Sequence, residues 1–330
     1  MKRENTIVTI GDINYLWGIF LLIASARKAG MEEPFLVGVK KFTPEAERVL
    51  AQFGGVRVLP LDGIKRSLTC LKAHVMLNVD SEYATWADSD AFFTGNVSEI
   101  LTPNSPDEIH FRLRAPFEMP DAFRGHTFGE DGKSIPKAIL EAWRKDIEDV
   151  AGEARAESRY ATSGSASFCS FSMARFRKFA EIWHELQMKV LPDRDVGVVD
   201  RSLRYYHQLD ESTLNACLNF VVDAPRVQDV YRMDKERNRL FVHFIARPKP
   251  WEGWTKRAFR HFDEYVSVVE WAVAQGLTLP GSVPGSLVRS RKGLMRALIP
   301  WMTLQPKIVR RLKRLFYRLR RIADVMPRIG

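Results

Sequence analysis

The chain has 330 residues, 45% hydrophobic and 27% charged, which is ample material for a large α/β core and argues against intrinsic disorder. Its formal charge of +10 is unevenly spread: residues 285–330 hold 13 of the 50 Lys+Arg and one of the 40 acids, Asp324, leaving 37 basic against 39 acidic side chains on residues 1–284. A neutral body with a basic appendage gives no basic face for nucleic acid, and Cys70, Cys169 and Cys217, far apart and without a CxxC pair, indicate neither a disulfide framework nor a zinc site.

The first expected element is a strand over 6–10 (TIVTI), followed by a polar turn and a buried helix over 15–29. Met1-Lys2-Arg3 ahead of the apolar run 16–26, which closes on Ala24-Ser25-Ala26, imitates a secretory signal. Glu4, Asp12 and Asn14 interrupt that succession, and the strand–turn–helix reading fits better. Strands are expected at 35–39 (FLVGV) and 56–60 (VRVLP). Between them runs a helix over 44–53, bounded by Thr43 as N-cap, Pro44 at the first helical position and Gly54 past the end. A helix over 67–79 leads into a strand at 83–87 (YATWA). This alternation predicts a doubly wound, parallel sheet, in which ligands bind beyond the carboxyl ends of the strands. Residues 105–160 are mixed and charged and read as loops and helices over the active site. Then come an apolar stretch at 163–171, helices over 173–190 and 210–220, and a strand at 240–244 (LFVHF). No uncharged apolar run of about 18 residues occurs, so no membrane-spanning helix is expected.

Asp88-Ser89-Asp90 directly follows the strand ending in Trp86-Ala87. Residues two apart in extended chain point the same way, so both carboxylates face one cation, and hard oxygen ligands suit Mg²⁺ or Mn²⁺. Asp193-Arg194-Asp195 has the same spacing but follows Pro192 in a loop, and is assigned to solvent. His243 ends the last strand, six residues before Lys249, which stands between Pro248 and Pro250. The imidazole adds a ligand that Mn²⁺ accepts more readily than Mg²⁺, and the lysine offers a phosphate a point charge.

Asp88-x-Asp90 after an apolar strand, with His243-Phe-Ile-Ala-Arg-Pro-Lys249-Pro250-Trp251 near the end, resembles glycosyltransferase family 8. Those are retaining enzymes of the GT-A fold related to glycogenin and to bacterial lipopolysaccharide galactosyl- and glucosyltransferases. The resemblance covers about residues 6–255. It implies a mixed, mostly parallel α/β sheet and Asp88, Asp90 and His243 as metal ligands. Ile10, Asp12, Asn14 and Tyr15 then lie in the segment that holds uracil and ribose. Lys72, Asp88, Ser89, Ala246 and Lys249 fall around the diphosphate and sugar. Ser163-Gly164 and Trp251 lie at the sugar and acceptor, and Asp210-Glu211-x-x-Leu214-Asn215 matches the family's Asp-Gln-x-x-Leu-Asn. Three positions depart from the pattern: Ala246 replaces glycine, Ser163 replaces asparagine, and Glu211 replaces glutamine. The last sets an ionisable group on the expected face of the anomeric carbon, making Glu211 and Asp210 the candidate catalytic carboxylates.

From 307 to 326, Ile308, Leu312, Leu315, Leu319, Ile322 and Met326 form a helical stripe opposite Lys307, Arg310, Arg311, Lys313, Arg314, Arg318, Arg320 and Arg321. Such basic amphipathic helices lie in anionic membrane interfaces. The expected organisation is a GT-A catalytic domain over 1–260, a helix and linker over 261–284, and a membrane-associating tail over 285–330. The expected activity is Mn²⁺-dependent (Mg²⁺ as the alternative), retaining transfer of a hexose or uronic acid from a UDP-sugar to a glycan or lipid-linked glycan. It would take place on the cytoplasmic face of the membrane, with no nucleic-acid partner. A metal-dependent nucleotidyltransferase would want a basic, glycine-rich loop where Gly11-Asp-Ile-Asn14 is acidic; a non-catalytic membrane adaptor of the same fold would bind neither metal nor nucleotide.

Overall fold

The computed structural model describes residues 3–113, 134–193, 200, 202–229, 240–245 and 247–304. They form two compact units, Met1–Val242 and His243–Gly330. In the first, strands β1 (Asn5–Asp12), β2 (Phe35–Lys40), β3 (Val56–Pro60), β4 (Tyr83–Ala87), β6 (Glu108–Leu113), β7 (Gly164–Ser172) and β8 (Arg226–Asp229) build one sheet in the order β3-β2-β1-β4-β7-β6-β8. The β3-β2-β1-β4 half is parallel, β7 is antiparallel to both β4 and β6, and β6 and β8 run parallel. This is the expected mixed, mostly parallel α/β architecture. A two-stranded sheet pairs β5 (Ala91–Phe93) with β9 (Phe241–His243).

Helix α1 (Leu16–Lys28) is sunk in the first unit, with every residue from Ile19 to Ala26 buried. Gly11 lets it approach the end of β1: a Cβ there would come within 2.7 Å of Ile19 Cδ1. Helix α2 (Pro44–Ala51) starts where the caps placed it, Thr43 accepting from the Ala46 N–H at 3.2 Å. The expected helix over 67–79 is shorter, a 3₁₀ turn (Leu68–Leu71) running into α3 (Lys72–Met76). Helices α4 (Lys137–Ala151), α5 (Met173–Val190) and α6 (Asp210–Phe220) follow, the last two with the expected bounds.

Residues 105–160 are not only loop and helix, because β6 is an inner strand between β7 and β8. Ile109 and Phe111 alternate toward the core, while His110 is also buried by hydrogen bonds from its ring to Leu101 O (3.1 Å) and Gln228 Oε1 (3.0 Å). A polar residue with satisfied partners masks the period-2 signal.

The second unit packs around Trp254, which is fully buried, donates Nε1–H to Ser286 O at 2.8 Å, and meets Phe262 and Tyr265 of helix α7 (Phe262–Ala274). A last described helix covers 292–304. The stripe at 307–326 lies outside the described residues. Among these, no helix is long and apolar enough to cross a membrane.

Candidate functional site

Strand β4 is a fully buried central strand that ends at Ala87, where Asp88-Ser89-Asp90 turn the chain. The Ala91 N–H donates to Asp88 O at 3.1 Å, closing a tight turn in which Asp88, Ser89 and Asp90 sit before β5 begins. The two carboxylates therefore converge through a turn and not through the alternation of extended chain. The small sheet brings in His243: the Thr94 N–H donates to Leu240 O at 2.9 Å, and β9 ends on the histidine. Asp88, Asp90 and His243 each offer one ligand atom, and these atoms lie within 4.8 Å of one another. Two hard carboxylate oxygens and an imidazole are a donor set that fits Mn²⁺ or Mg²⁺.

Lys72 opens α3 and is 5% exposed. Its ammonium has three acceptors, Asp88 Oδ1 at 2.7 Å, Asp210 Oδ2 at 2.8 Å and Ala166 O at 2.9 Å, which match its three donors. Burial works against the charge, but the carboxylates of Asp210 and Asp88 outweigh it and hold the lysine's pKa above its usual range. Burial pushes the Asp210 carboxyl up to about 6; Lys72 opposes the shift, while Asp88 and Glu211 add to it. Asp88, Asp210 and Glu211 thus gather around Lys72, with Asp90 beside Asp88, an acid-rich arrangement that suits a divalent cation.

Asp210 and Glu211 open α6, where acidic residues complement the helix dipole. The preceding Leu209 is buried with φ +52°, a left-handed backbone that costs a leucine about 1–3 kcal/mol and survives where the surroundings enforce it. Glu211 Oε2 accepts the Ala166 N–H at 3.3 Å, so Ala166 binds Lys72 through its carbonyl and Glu211 through its amide. One turn on, buried Asn215 clamps Gly164: it accepts the Gly164 N–H at 2.7 Å, and its Nδ2 donates to Gly164 O at 2.9 Å and to Glu211 O at 2.7 Å. No side chain fits at Gly164, where a Cβ would stand 2.0 Å from the Phe111 ring. The Ser163 hydroxyl is buried with no hydrogen-bond partner.

At the end of β1, Ile10 is buried, and Asp12 Oδ1 accepts the Asn14 N–H at 3.0 Å while Asn14 and Ile13 are exposed. Tyr15 is half-buried and Ser89 buried. In the second unit Lys249 is buried and donates to Phe244 O at 2.5 Å, with its backbone N–H bound by Glu252 Oε2 at 3.1 Å. Trp251 is buried too. Asp193 is exposed, whereas Ala246 and Asp195 fall outside the described residues. Sequence reasoning missed Trp86, whose Nε1–H donates to Asp88 Oδ1 at 2.8 Å; the Trp-x-Asp spacing at the end of the strand was the available signal.

No protein-family model matches the chain, and no curated protein matches it in sequence. Among solved structures it is similar to the bifunctional glycosyltransferase WbbM in its apo form, with TM-score 0.54 and 14% identity over 82% of this chain and 50% of that one. It is also similar to a glutamine-to-glutamate active-site mutant of LgtC, with TM-score 0.50 and 14% identity over 81% of this chain and 95% of that one. The glycosyltransferase GlyE of Streptococcus pneumoniae TIGR4, apo form, aligns at TM-score 0.49 and 12% identity over 83% of this chain and 64% of that one. The chain thus spans half the length of WbbM and under two thirds of GlyE. The likeness to WbbM and LgtC establishes the fold, that of GT-A glycosyltransferases.

Proposed function

We propose that this chain is a retaining glycosyltransferase of the family 8 type. It would move a hexose or uronic acid from a UDP-sugar to a glycan or lipid-linked glycan acceptor, with Mn²⁺ held by Asp88, Asp90 and His243. The observation that carries the reading is the convergence of those three ligand atoms within 4.8 Å beyond the carboxyl end of the central strand β4, beside the Lys72–Asp210 pair. Such strand ends are where open α/β sheets bind ligands. The GT-A fold shared with WbbM and LgtC supports the same assignment.

Breaking the bond between the anomeric carbon and the diphosphate leaves positive charge on the sugar and negative charge on the leaving phosphate. A bound cation supplies Lewis-acid stabilisation of that leaving group. Asp88, Asp90 and His243 would hold it, and Lys72 fixes the Asp88 and Asp210 carboxylates in place through its contacts at 2.7 and 2.8 Å. Lys249, stiffened by its prolines, would reach the diphosphate by exchanging the Phe244 carbonyl for a phosphate oxygen. Glu211 and Asp210 face the developing oxocarbenium-like centre, as carboxylates do in glycosidases. Ile10, Asp12, Asn14 and Tyr15 would bracket the uridine, and Ser163, Gly164 and Trp251 the sugar and acceptor.

On the proposed organisation, residues 1–260 carry the chemistry and the basic tail brings it to the inner face of the membrane. Leu294, Trp301 and Leu304, all exposed on one side of the helix over 292–304, support an interfacial role for this end.

Nucleotide-sugar binding with and without Mn²⁺ tests the reading, because a ligand raises apparent stability by mass action. UDP-sugars with Mn²⁺ should raise the Tm of the full chain, and Asp90→Ala should abolish both that shift and turnover while leaving the metal-free Tm unchanged. Full turnover in excess chelator would refute the metal assignment.

A further inference from the structure

Two donors converge on a single oxygen of the candidate metal centre. Trp86 Nε1–H lies 2.8 Å from Asp88 Oδ1, and Lys72 Nζ lies 2.7 Å from the same atom. The indole is fully buried, and the lysine ammonium stands 4.8 Å over its ring. Trp86 is the next-to-last residue of β4 and Asp88 the first residue past its end, which brings the indole N–H to the carboxylate.

A carboxylate oxygen accepts about two hydrogen bonds through its in-plane lone pairs. Oδ1 of Asp88 has both engaged by Trp86 and Lys72, so a cation bound by Asp88 would be held through its other oxygen. We propose that Trp86 is a positioning residue of the metal centre: with Lys72 it pins Oδ1 and makes Asp88 a one-oxygen ligand. That selects small octahedral cations such as Mn²⁺ and Mg²⁺ over Ca²⁺, which favours higher coordination numbers and two-oxygen carboxylates. The inference rests on the reading of Asp88, Asp90 and His243 as metal ligands, and adds to it the residue that sets how Asp88 binds and which cation it prefers.

A tryptophan kept only for packing would lose little if its N–H were removed and its shape retained. The donor matters here because ligand orientation sets affinity, and loss of an outer hydrogen bond to a metal ligand typically weakens metal binding by about 10–100-fold. Phenylalanine keeps an aromatic face for Lys72 but is smaller. Benzothienylalanine keeps the bicyclic shape and lacks the N–H.

The test is a titration of the full chain with Mn²⁺ alone, followed by the electron spin resonance of free Mn²⁺, then competition with Ca²⁺. Wild type, Trp86→Phe and a chain with benzothienylalanine in place of Trp86 are compared, and metal-free urea unfolding monitors the fold. Both variants should bind Mn²⁺ at least about tenfold more weakly, with a smaller Mn²⁺-over-Ca²⁺ preference, and the benzothienylalanine chain should unfold as wild type does without metal. Mn²⁺ binding within twofold of wild type in both, at an unchanged Mn²⁺/Ca²⁺ ratio, would return Trp86 to packing alone. If wild type takes up no more Mn²⁺ than Asp90→Ala does, the metal centre itself is absent and the role of Trp86 goes with it.

Discussion

Lys72 and Glu211 divide the candidate site between charge balance and chemistry. With three acceptors on three donors, the Lys72 ammonium is saturated, and a donor phosphate would have to displace Asp88, Asp210 or the Ala166 carbonyl to reach it. Its first task in this structure is to bridge the carboxylates of buried Asp210 and half-buried Asp88. Lys72→Met would leave Asp88 and Asp210 facing each other without a counter-ion, at a cost of about 3–5 kcal/mol. That loss should appear in urea unfolding in chelator and shrink when Mn²⁺ is added; equal losses in both conditions would separate Lys72 from the metal centre. Glu211 is different, because the Ala166 N–H would be accepted equally well by an amide oxygen. Glu211→Gln therefore keeps the geometry and removes only the charge. We expect kcat to fall by at least about tenfold with donor binding unchanged, as for a group acting on the transition state. A rate within a few-fold of wild type would end the nucleophile role and pass it to Asp210. The acids and Lys72 were legible from spacing and resemblance. The hydrogen bonds to Ala166 were not, since backbone partners carry no sequence signature.

The elements that deliver these residues differ in how plainly the sequence announced them. Strand β4, α5 and α6 stand where patterning placed them, because each couples an unbroken apolar face to clear ends: acids after Ala87, the Ser172 cap at 3.3 Å from the Arg175 N–H, and acids opening α6. Strand β6 was missed because its neighbours are polar and its one inward histidine is satisfied by residues distant in sequence. Helix α3 was overestimated: its apolar run is buried by tertiary contacts and holds helical geometry for only five residues. It carries His74, whose ring lies 5.2 Å from that of His184 on α5. Burial depresses both histidines; for His184 the charges of His74 and Arg66 act in the same direction. The folded state thus binds fewer protons than the unfolded one. The contribution is intact above the unfolded pKa of about 6.5 and is lost as pH falls below it toward the folded values. His184→Phe, which keeps a ring against His74, should accordingly lose less stability than wild type between about pH 7.5 and 5.5 in urea unfolding. Parallel pH dependences would show that the pair does not titrate in this way.

At the scale of the molecule, the charge map is the feature that fold and site leave unexplained. Residues 1–284 are close to neutral, while 285–330 carry 13 basic side chains against Asp324. Part of this excess is used within the second unit: Arg289 meets Glu270 at 2.6 Å and Asp263 at 3.3 Å, and Lys292 also pairs with Asp263. The eight basic residues between Lys307 and Arg321 have no acid among them. Each would add about 1 kcal/mol near an anionic surface, and the attraction weakens as salt shortens the screening length. Exposed Trp301 and Leu304 immediately precede that stretch and supply the apolar component of interfacial binding. The full chain should therefore sediment with vesicles containing about one third phosphatidylglycerol at low salt, and be largely released at about 0.5 M NaCl. Replacing Arg310, Arg314, Arg318 and Arg321 by serine should lower vesicle affinity at least about a hundredfold while Mn²⁺ and UDP-sugar binding stay unchanged, because four such charges are worth about 4 kcal/mol at the surface. Equal binding to neutral and anionic vesicles, or no loss in the serine variant, would remove the membrane from the proposed function and leave the basic tail to pack elsewhere.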